Sequence, residues 1–252
     1  MAFEEIKKSM SQFDKVTLEE MSGVQLMNRI DNKYVIPAVH LPGILDRISD
    51  QYYALEIEDL RLMKYKTLYF DSPELDFYTR HHNGLLNRYK VRQRTYEETD
   101  TSFFEVKFKN NKSVTQKSRI RIDEITNQLD AKQCDFLSEI SPVNGAALEP
   151  VLWVYYQRAT LVSKAMNERL TIDVNLSFEF DGNECSMSHL VILEAKRDRA
   201  LKVTPILSEL RNLKIQPSGF SKYCMGLASV REDVKRNRFK PRFRRLDKLK
   251  VA

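Results

Sequence analysis

The sequence predicts an α+β fold: a mostly antiparallel β-barrel tunnel of about eight strands with a cationic interior, flanked by helices. Three observations carry this expectation. Segments that alternate polar and apolar residues recur along the chain, from "RIDNKYVI" (29–36) to "VILEAK" (191–196). On several of them the polar face is cationic: in "RYKVRQR" (88–94), Lys90, Arg92 and Arg94 share one face, and Tyr89, Val91 and Gln93 the other. The segments between strands carry helical apolar stripes able to cover an apolar sheet face.

Taken in order, Phe3, Ile6, Met10 and Phe13 form the stripe of an N-terminal helix. Thr17 followed by Glu20 is a capping box, which opens a second short helix. "RIDNKYVI" alternates as a strand. Pro42 opens a helix with Ile44, Leu45 and Ile48 on one side. "KYKTLYF" (64–70) is a strand, and its Lys64 and Lys66 join the alternating cations. Ser72-Pro73 is an N-cap and N1 pair that predicts a helix through Tyr78. After the Asn83-Gly84 turn signal, strands are expected at 85–96, 102–109 and 115–124, a helix at 130–140, and strands at 151–162, 168–180 and 189–197. Thr204-Pro205 opens a helix carrying Leu207, Leu210 and Leu213, and Gly219 precedes a last helix at 221–232.

With 252 residues, 42% of them apolar, the chain can bury one substantial core. It reads as one domain over 1–232 followed by a basic C-terminal tail, 233–252. The net charge is +6, but Lys235 to Lys250 holds nine Lys/Arg and the single acid Asp247, which is +8 and leaves −2 for the rest. An anion site in the domain therefore has to come from local arrangement. Cys134, Cys185 and Cys224 lie far apart in no metal-binding spacing, which speaks against structural zinc or a disulfide framework and fits a reducing cytosol. The first residues have no signal-peptide apolar core, and no run approaches the roughly 18 apolar residues of a spanning helix. The chain reads as soluble and cytoplasmic.

The charged faces continue beyond "RYKVRQR". Glu105, Lys107 and Lys109 oppose Phe104, Val106 and Phe108; Lys117, Arg119, Arg121 and Asp123 oppose Ser118, Ile120 and Ile122. Arg29, Asp31 and Lys33 share a face, as do Thr171, Asp173, Asn175 and Ser177, and Glu194 with Lys196. A solvated face explains such alternation on any one strand. Across many strands the clustering is costly, because same-face neighbours roughly 7 Å apart repel by about 0.6 kcal/mol in water and about 2.4 kcal/mol at a dielectric near 20. A bound polyanion converts that cost into affinity. If the apolar faces turn outward under helices, the cations line a bore suited to a slender chain of phosphates, whose oxygens match the arginine fork. Glu105, Asp173 and Glu194 among these cations are either salt-bridge partners or, for Glu194 above all, ligands of a divalent ion shared with phosphate.

The segments "RIDNKY", "YKTLYFDS", "RYKVRQRTY", "FFEVKFK", "QKSRI", "YYQRATL", "LTIDVNLSF", "LEAKRD" and "GFSKYCMG" stand in the order found in the VTC domain, and the chain resembles that family over about 25–230. The family belongs to the triphosphate tunnel metalloenzymes. The resemblance implies a polyphosphate polymerase, which moves the terminal phosphoryl group of a nucleoside triphosphate, usually ATP, onto a growing polyphosphate chain with Mn²⁺ or Mg²⁺. It implies phosphate-binding roles for Lys33, Arg92, Arg94, Lys107, Lys117, Arg158, Arg169, Lys196 and Lys222, and a metal-binding role for Glu194. Arg92, Arg94, Lys222 and Glu194 are the expected catalytic set.

Departures qualify the implication. The E-x-E-x-K signature of the wider superfamily is absent, and "RIDNKY" offers only Asp31, which favours transfer to phosphate over hydrolysis. The SPX domain and membrane segments of the fungal proteins are not expected here, so export of a product would need a separate membrane protein. The rivals are a metal-dependent triphosphate or nucleoside-triphosphate hydrolase and a non-catalytic polyphosphate-binding subunit; the complete cation set argues against the latter. Nucleic acid is disfavoured because the aromatics mostly alternate away from the cations. His40, His81, His82 and His189 show no catalytic arrangement. The basic tail is open to three readings: a solvated run, a product-binding segment, or a contact to an anionic membrane surface that would hold the protein there.

Overall fold

The described residues form eleven strands, the longer ones where the sequence alternates at period two: β1 (Asp14–Val16), β2 (Arg29–Pro37), β3 (Tyr52–Leu55), β4 (Met63–Asp71), β5 (Arg88–Tyr96), β6 (Thr101–Lys109), β7 (Thr115–Ile122), β8 (Glu149–Ser163), β9 (Glu168–Phe180), β10 (Asn183–Ser186) and β11 (Leu190–Asp198). Among the described residues eight α-helices accompany them: α1 (Ala2–Met10), α2 (Leu18–Ser22), α3 (Leu41–Ile48), α4 (Asp76–His82), α5 (Ala131–Ile140), α6 (Pro205–Asn212), α7 (Lys222–Val230) and α8 (Lys240–Lys248). The structure, a computed structural model, describes residues 2–22, 29–112 and 114–250. The first positions of the resembling stretch, 25–28, and the last two of the tail, 251–252, lie outside the described residues.

The main sheet runs β2-β11-β9-β8-β4-β5-β6-β7, every neighbouring pair antiparallel. This is the eight-strand α+β arrangement the alternation predicts, curled with its charged face inward, and β2 and β7 are its end strands. The short strands β1, β3 and β10 were not foreseen; three or four residues are too few to show a period. β1 pairs parallel with β3, β3 with β8, and β10 with β9.

Helices cover the apolar outer face in two patches. α1, α3 and α6 bring Ile6, Met10, Leu41, Ile44, Leu45 and Ile206 onto Ile36, Leu170, Ile172 and Leu193. Each such fully buried side chain contributes about 1.5–3 kcal/mol. The second patch packs α4, α5, α7 and α8 against β4, β5, β6, β8 and β9, with Phe70, Phe104, Val154 and Phe178 beneath them. α5 is pinned by polar contacts as well: Gln93 on the outer face of β5 donates to Gln133 at 2.7 Å and accepts from the Thr126 N–H at 2.8 Å.

Caps read from sequence are present. Thr17 and Glu20 form the reciprocal box at α2, and Thr204 accepts from the Leu207 N–H at α6. The predicted start of α4 is corrected. The helix begins at Asp76 after Leu75 adopts a left-handed φ of 57°, and the buried Asp71 carboxylate, not Ser72 alone, receives the Phe77 and Tyr78 N–H groups, each at 2.9 Å. Asp71 also accepts from the Tyr223 hydroxyl, tying β4, α4 and α7 at one point. Gly226 lets α7 lie close on β8 and β9: a Cβ there would fall 2.2 Å from Phe178 Cδ1.

The basic segment is corrected too. It is not a free solvated run, because Val234, Phe239 and Leu246 are buried in the second patch and Phe239 packs edge-on to His82 and Tyr78. Charge count alone hides this, since Phe239, Phe243, Leu246 and Leu249, spaced by four, three and three, form a stripe that docks it. No helix among the described residues is long and apolar enough to cross a membrane.

Candidate functional site: a cation-lined tunnel

Register brings the predicted cations to one inner surface. Glu105 on β6 faces Arg92 on β5 and Arg119 on β7; Lys107 faces Lys90 and Lys117. Glu194 on β11 lies between Lys33 on β2 and Thr171 on β9, and Lys196 lies beside Arg169. Arg158 on β8 is opposite Asp173 on β9. Lys222 enters from the first turn of α7. All nine cations named from sequence therefore meet in one tunnel, with three carboxylates among them.

Each carboxylate anchors a subset. Glu105 is fully buried and receives Arg92 Nε at 2.8 Å and Nη2 at 2.6 Å, with Arg94 Nη1 at 3.6 Å and Lys117 completing the group. Burial pushes Glu105 up, but Arg92, Arg94 and Lys117 together hold it well below the usual carboxylate range. Asp173 takes a bidentate fork from Arg158, at 2.6 and 2.9 Å, and an ion pair from Lys222. Those two cations outweigh its desolvation and hold it low as well. Glu194 pairs with Lys33 and, at 3.6 Å, with Lys196. Burial raises it, yet the two lysines bring it down to about 2.

The lysines show the complementary strain. Arg92 first, then burial, Arg94 and Lys117, push the Lys107 amine down to about 6. Burial lowers Lys222 to about 8 despite the support of Asp173. Arg169 has a buried Nε with no hydrogen-bond partner among the described residues. Nine cations facing three acids leave a large positive surplus among part-buried side chains, where like charges interact more strongly than in bulk water.

The three acids differ in access. The side chains of Glu105 and Asp173 are 0% and 3% exposed and sealed by guanidinium forks, whereas that of Glu194 is 19% exposed and held by two lysines. Among the described residues no group of three or more His, Cys, Asp or Glu is assembled for a metal. Glu194 is therefore the most accessible of the three carboxylates, and a divalent ion that takes most of its oxygens from phosphate needs no larger cluster of protein ligands than this.

Two expectations are corrected. On β4 the inner face carries Tyr65, Thr67 and Tyr69, not Lys64 and Lys66: Leu68 and Phe70 must enter the outer core, and period two carries the lysines outward with them, Lys66 over Trp153. Nor do the aromatics all turn from the cations. Tyr69 accepts from Arg92 Nη1 at 2.9 Å, Thr67 from Arg94 Nε at 3.1 Å, and Tyr65 stacks on Tyr156 at 4.9 Å. Arg94, Arg158 and Lys222 surround the Tyr156 ring, with Lys222 Nζ 4.4 Å from its centre. Buried arginines need acceptors and π faces, and tyrosines supply both. "KYKTLYF" is amphipathic at either parity, so its sequence held no signal for which face turns inward.

A family model described as the VTC domain matches residues 28–231. Comparison with curated proteins finds no match. Among solved structures, a candidate adenylyl cyclase from Hippeastrum, described as having a dominant triphosphatase activity, is similar with a TM-score of 0.51 at 16% identity, covering 81% of this chain and 97% of that one. A candidate adenylate cyclase from Vibrio parahaemolyticus aligns with a TM-score of 0.47 at 9% identity, covering 80% and 99%.

Proposed function

The chain belongs to the VTC domain family, and on that premise we propose that it is a polyphosphate polymerase, transferring the terminal phosphoryl group of a nucleoside triphosphate, ATP by expectation, to the end of a polyphosphate chain in its tunnel. The observation that carries the reading is the inner row of nine cations against three carboxylates, each carboxylate already committed to cations.

Phosphoryl transfer asks for in-line positioning and neutralisation of charge spread over three oxygens. The forks of Arg92, Arg94 and Arg158 are fixed before substrate arrives by Glu105, Asp173 and Thr67, so little reorganisation is needed at reaction. Lys33, Lys107, Lys117, Arg169 and Lys196 hold the remaining phosphates along the bore. Lys222, its amine lowered to about 8 and placed at the first turn of α7, meets the terminal or acceptor phosphate. Glu194 and substrate phosphates would hold Mn²⁺ or Mg²⁺, which supplies Lewis-acid neutralisation of the transferred group. An acceptor phosphate is already anionic and needs no base. A Glu194 held near 2, and Asp173 and Glu105 held low, are poor bases for water, which supports transfer over hydrolysis.

The same cations would serve water as acceptor, and the Hippeastrum protein is described with triphosphatase activity. The deciding experiment follows γ-labelled ATP with Mn²⁺ beside a Glu194→Ala control. Labelled chains that vanish in the control support the polymerase; free phosphate alone makes the protein a hydrolase; retained polyphosphate binding without turnover makes it a binding subunit.

A further inference from the structure

The tunnel cations have carboxylate partners at three anchors, but at one end of the ladders the pattern changes. Arg88 and Lys109 pair in register at the end of the β5–β6 hairpin, one step beyond Lys90 and Lys107. Lys90 donates to the Ser221 hydroxyl, the N-cap of α7, at 2.8 Å. Arg242 reaches the same corner from α8: its Nη2 lies 3.9 Å from where a Cβ on Gly219 would stand, which sets the guanidinium in contact with the turn that leads into α7. Arg88, Lys90, Lys109 and Arg242 are half-buried, and among the described residues none has an ion pair. His81 lies in their midst, and burial plus Lys90, Arg88, Arg242 and Lys109 push its imidazole down to about 3.

We infer that Arg88, Lys90, Lys109 and Arg242 form a collar at this tunnel end that binds the phosphates of a chain too long for the bore alone. The ligand is an inorganic phosphate polymer, because the collar continues the row Arg92–Lys107 without an intervening acid and offers donors only. α8 lies beyond residues 28–231, so the family match does not account for Arg242. The collar turns a tunnel that grips a short oligophosphate into one that also holds the emerging end of a long chain. This inference rests on the phosphate reading of the tunnel.

The test compares binding of inorganic tripolyphosphate and long-chain polyphosphate by calorimetry, at two salt concentrations. The proteins are wild type, Arg88→Gln/Lys109→Gln/Arg242→Gln, and Arg244→Gln/Arg245→Gln, whose substitutions fall on exposed arginines of the same helix. The collar variant is expected to bind the long chain on the order of 100-fold more weakly, at roughly fivefold per cation. Its salt slope is expected to flatten by about 2, with tripolyphosphate affinity held within about twofold. Single Arg242→Gln gives a partial effect and guards against misfolding of the triple variant. Equal losses in the collar and control variants would overturn the collar, because bulk charge then suffices. A parallel loss of tripolyphosphate affinity would overturn it too, by placing these residues in the tunnel site. Wild type binding neither anion would overturn the tunnel reading itself, an outcome distinct from the other two.

Discussion

Lys107 has no carboxylate of its own, stands across from Lys90 and Lys117, and lies in the field of Arg92. With its amine near 6, roughly 3% of it is charged at pH 7.5 in the empty protein. A phosphate chain laid along the tunnel reverses the local field and restores the proton. Lys222, near 8, is roughly one quarter uncharged at that pH and regains that fraction. Binding of tripolyphosphate at pH 7.5 is therefore expected to take up slightly more than one proton, and affinity should rise by about thirtyfold on average for each pH unit lowered between 9 and 7. Calorimetry in buffers of different ionisation enthalpy measures the uptake directly, and Lys107→Met should remove about one proton of it. Equal uptake in wild type and variant, or none in wild type, would refute the argument. The sign for folding follows from the same shift. From pH 6 to 10.5 the unfolded chain binds this proton and the folded chain does not, so stability of the empty protein rises with pH across that window. Lys107→Met should be more stable at pH 7.5, by at most about 4 kcal/mol.

Four further outcomes are expected. Glu194→Gln should abolish metal-dependent turnover while tripolyphosphate binds as well or better in the absence of metal, since a repelling carboxylate is gone; unchanged turnover would remove Glu194 from the metal. Asp173→Asn should weaken the protein against acid in a readable way: the folded carboxyl is held low, so its contribution is full above about pH 4 and fades below, and the variant's acid-unfolding curve should lose that component. Gly226→Ala should cost about 1–3 kcal/mol in denaturant melts, because the new methyl meets Phe178 and Leu152. Leu246→Ala should cost about 2–4 kcal/mol, a loss that a solvated tail would not show.

The inner face was legible on β2, β5, β6, β9 and β11 because each alternates charge against Phe, Ile, Val or Leu, and only one parity can be buried. β4 was not, because Lys64 and Lys66 share a parity with Leu68 and Phe70 while the other parity holds tyrosines. Only the neighbouring strands decide which set turns inward. The cations of the site were readable from motif and alternation, but their grouping on Glu105, Asp173 and Glu194 depends on register, which spacing within one strand does not encode. Tyr65, Tyr69 and Tyr156 were missed for the same reason. Docking of α8 was hidden because nine cations dominate a segment whose fate is decided by Phe239 and Leu246.

α7 is buried along nearly its whole length, seated on Phe178 through Gly226 and bound to Asp71 through Tyr223. Lys222 therefore rides on a part that cannot swing aside without opening the core. Under the proposed function the product has to slide past a stationary grip, one residue at a time, as wire is drawn through a die. A stationary grip has no means of counting. Once a chain has filled the bore and the collar beyond it, each addition competes with release at a constant ratio, and product lengths above that point should follow an exponential distribution whose mean is set by ATP concentration and salt.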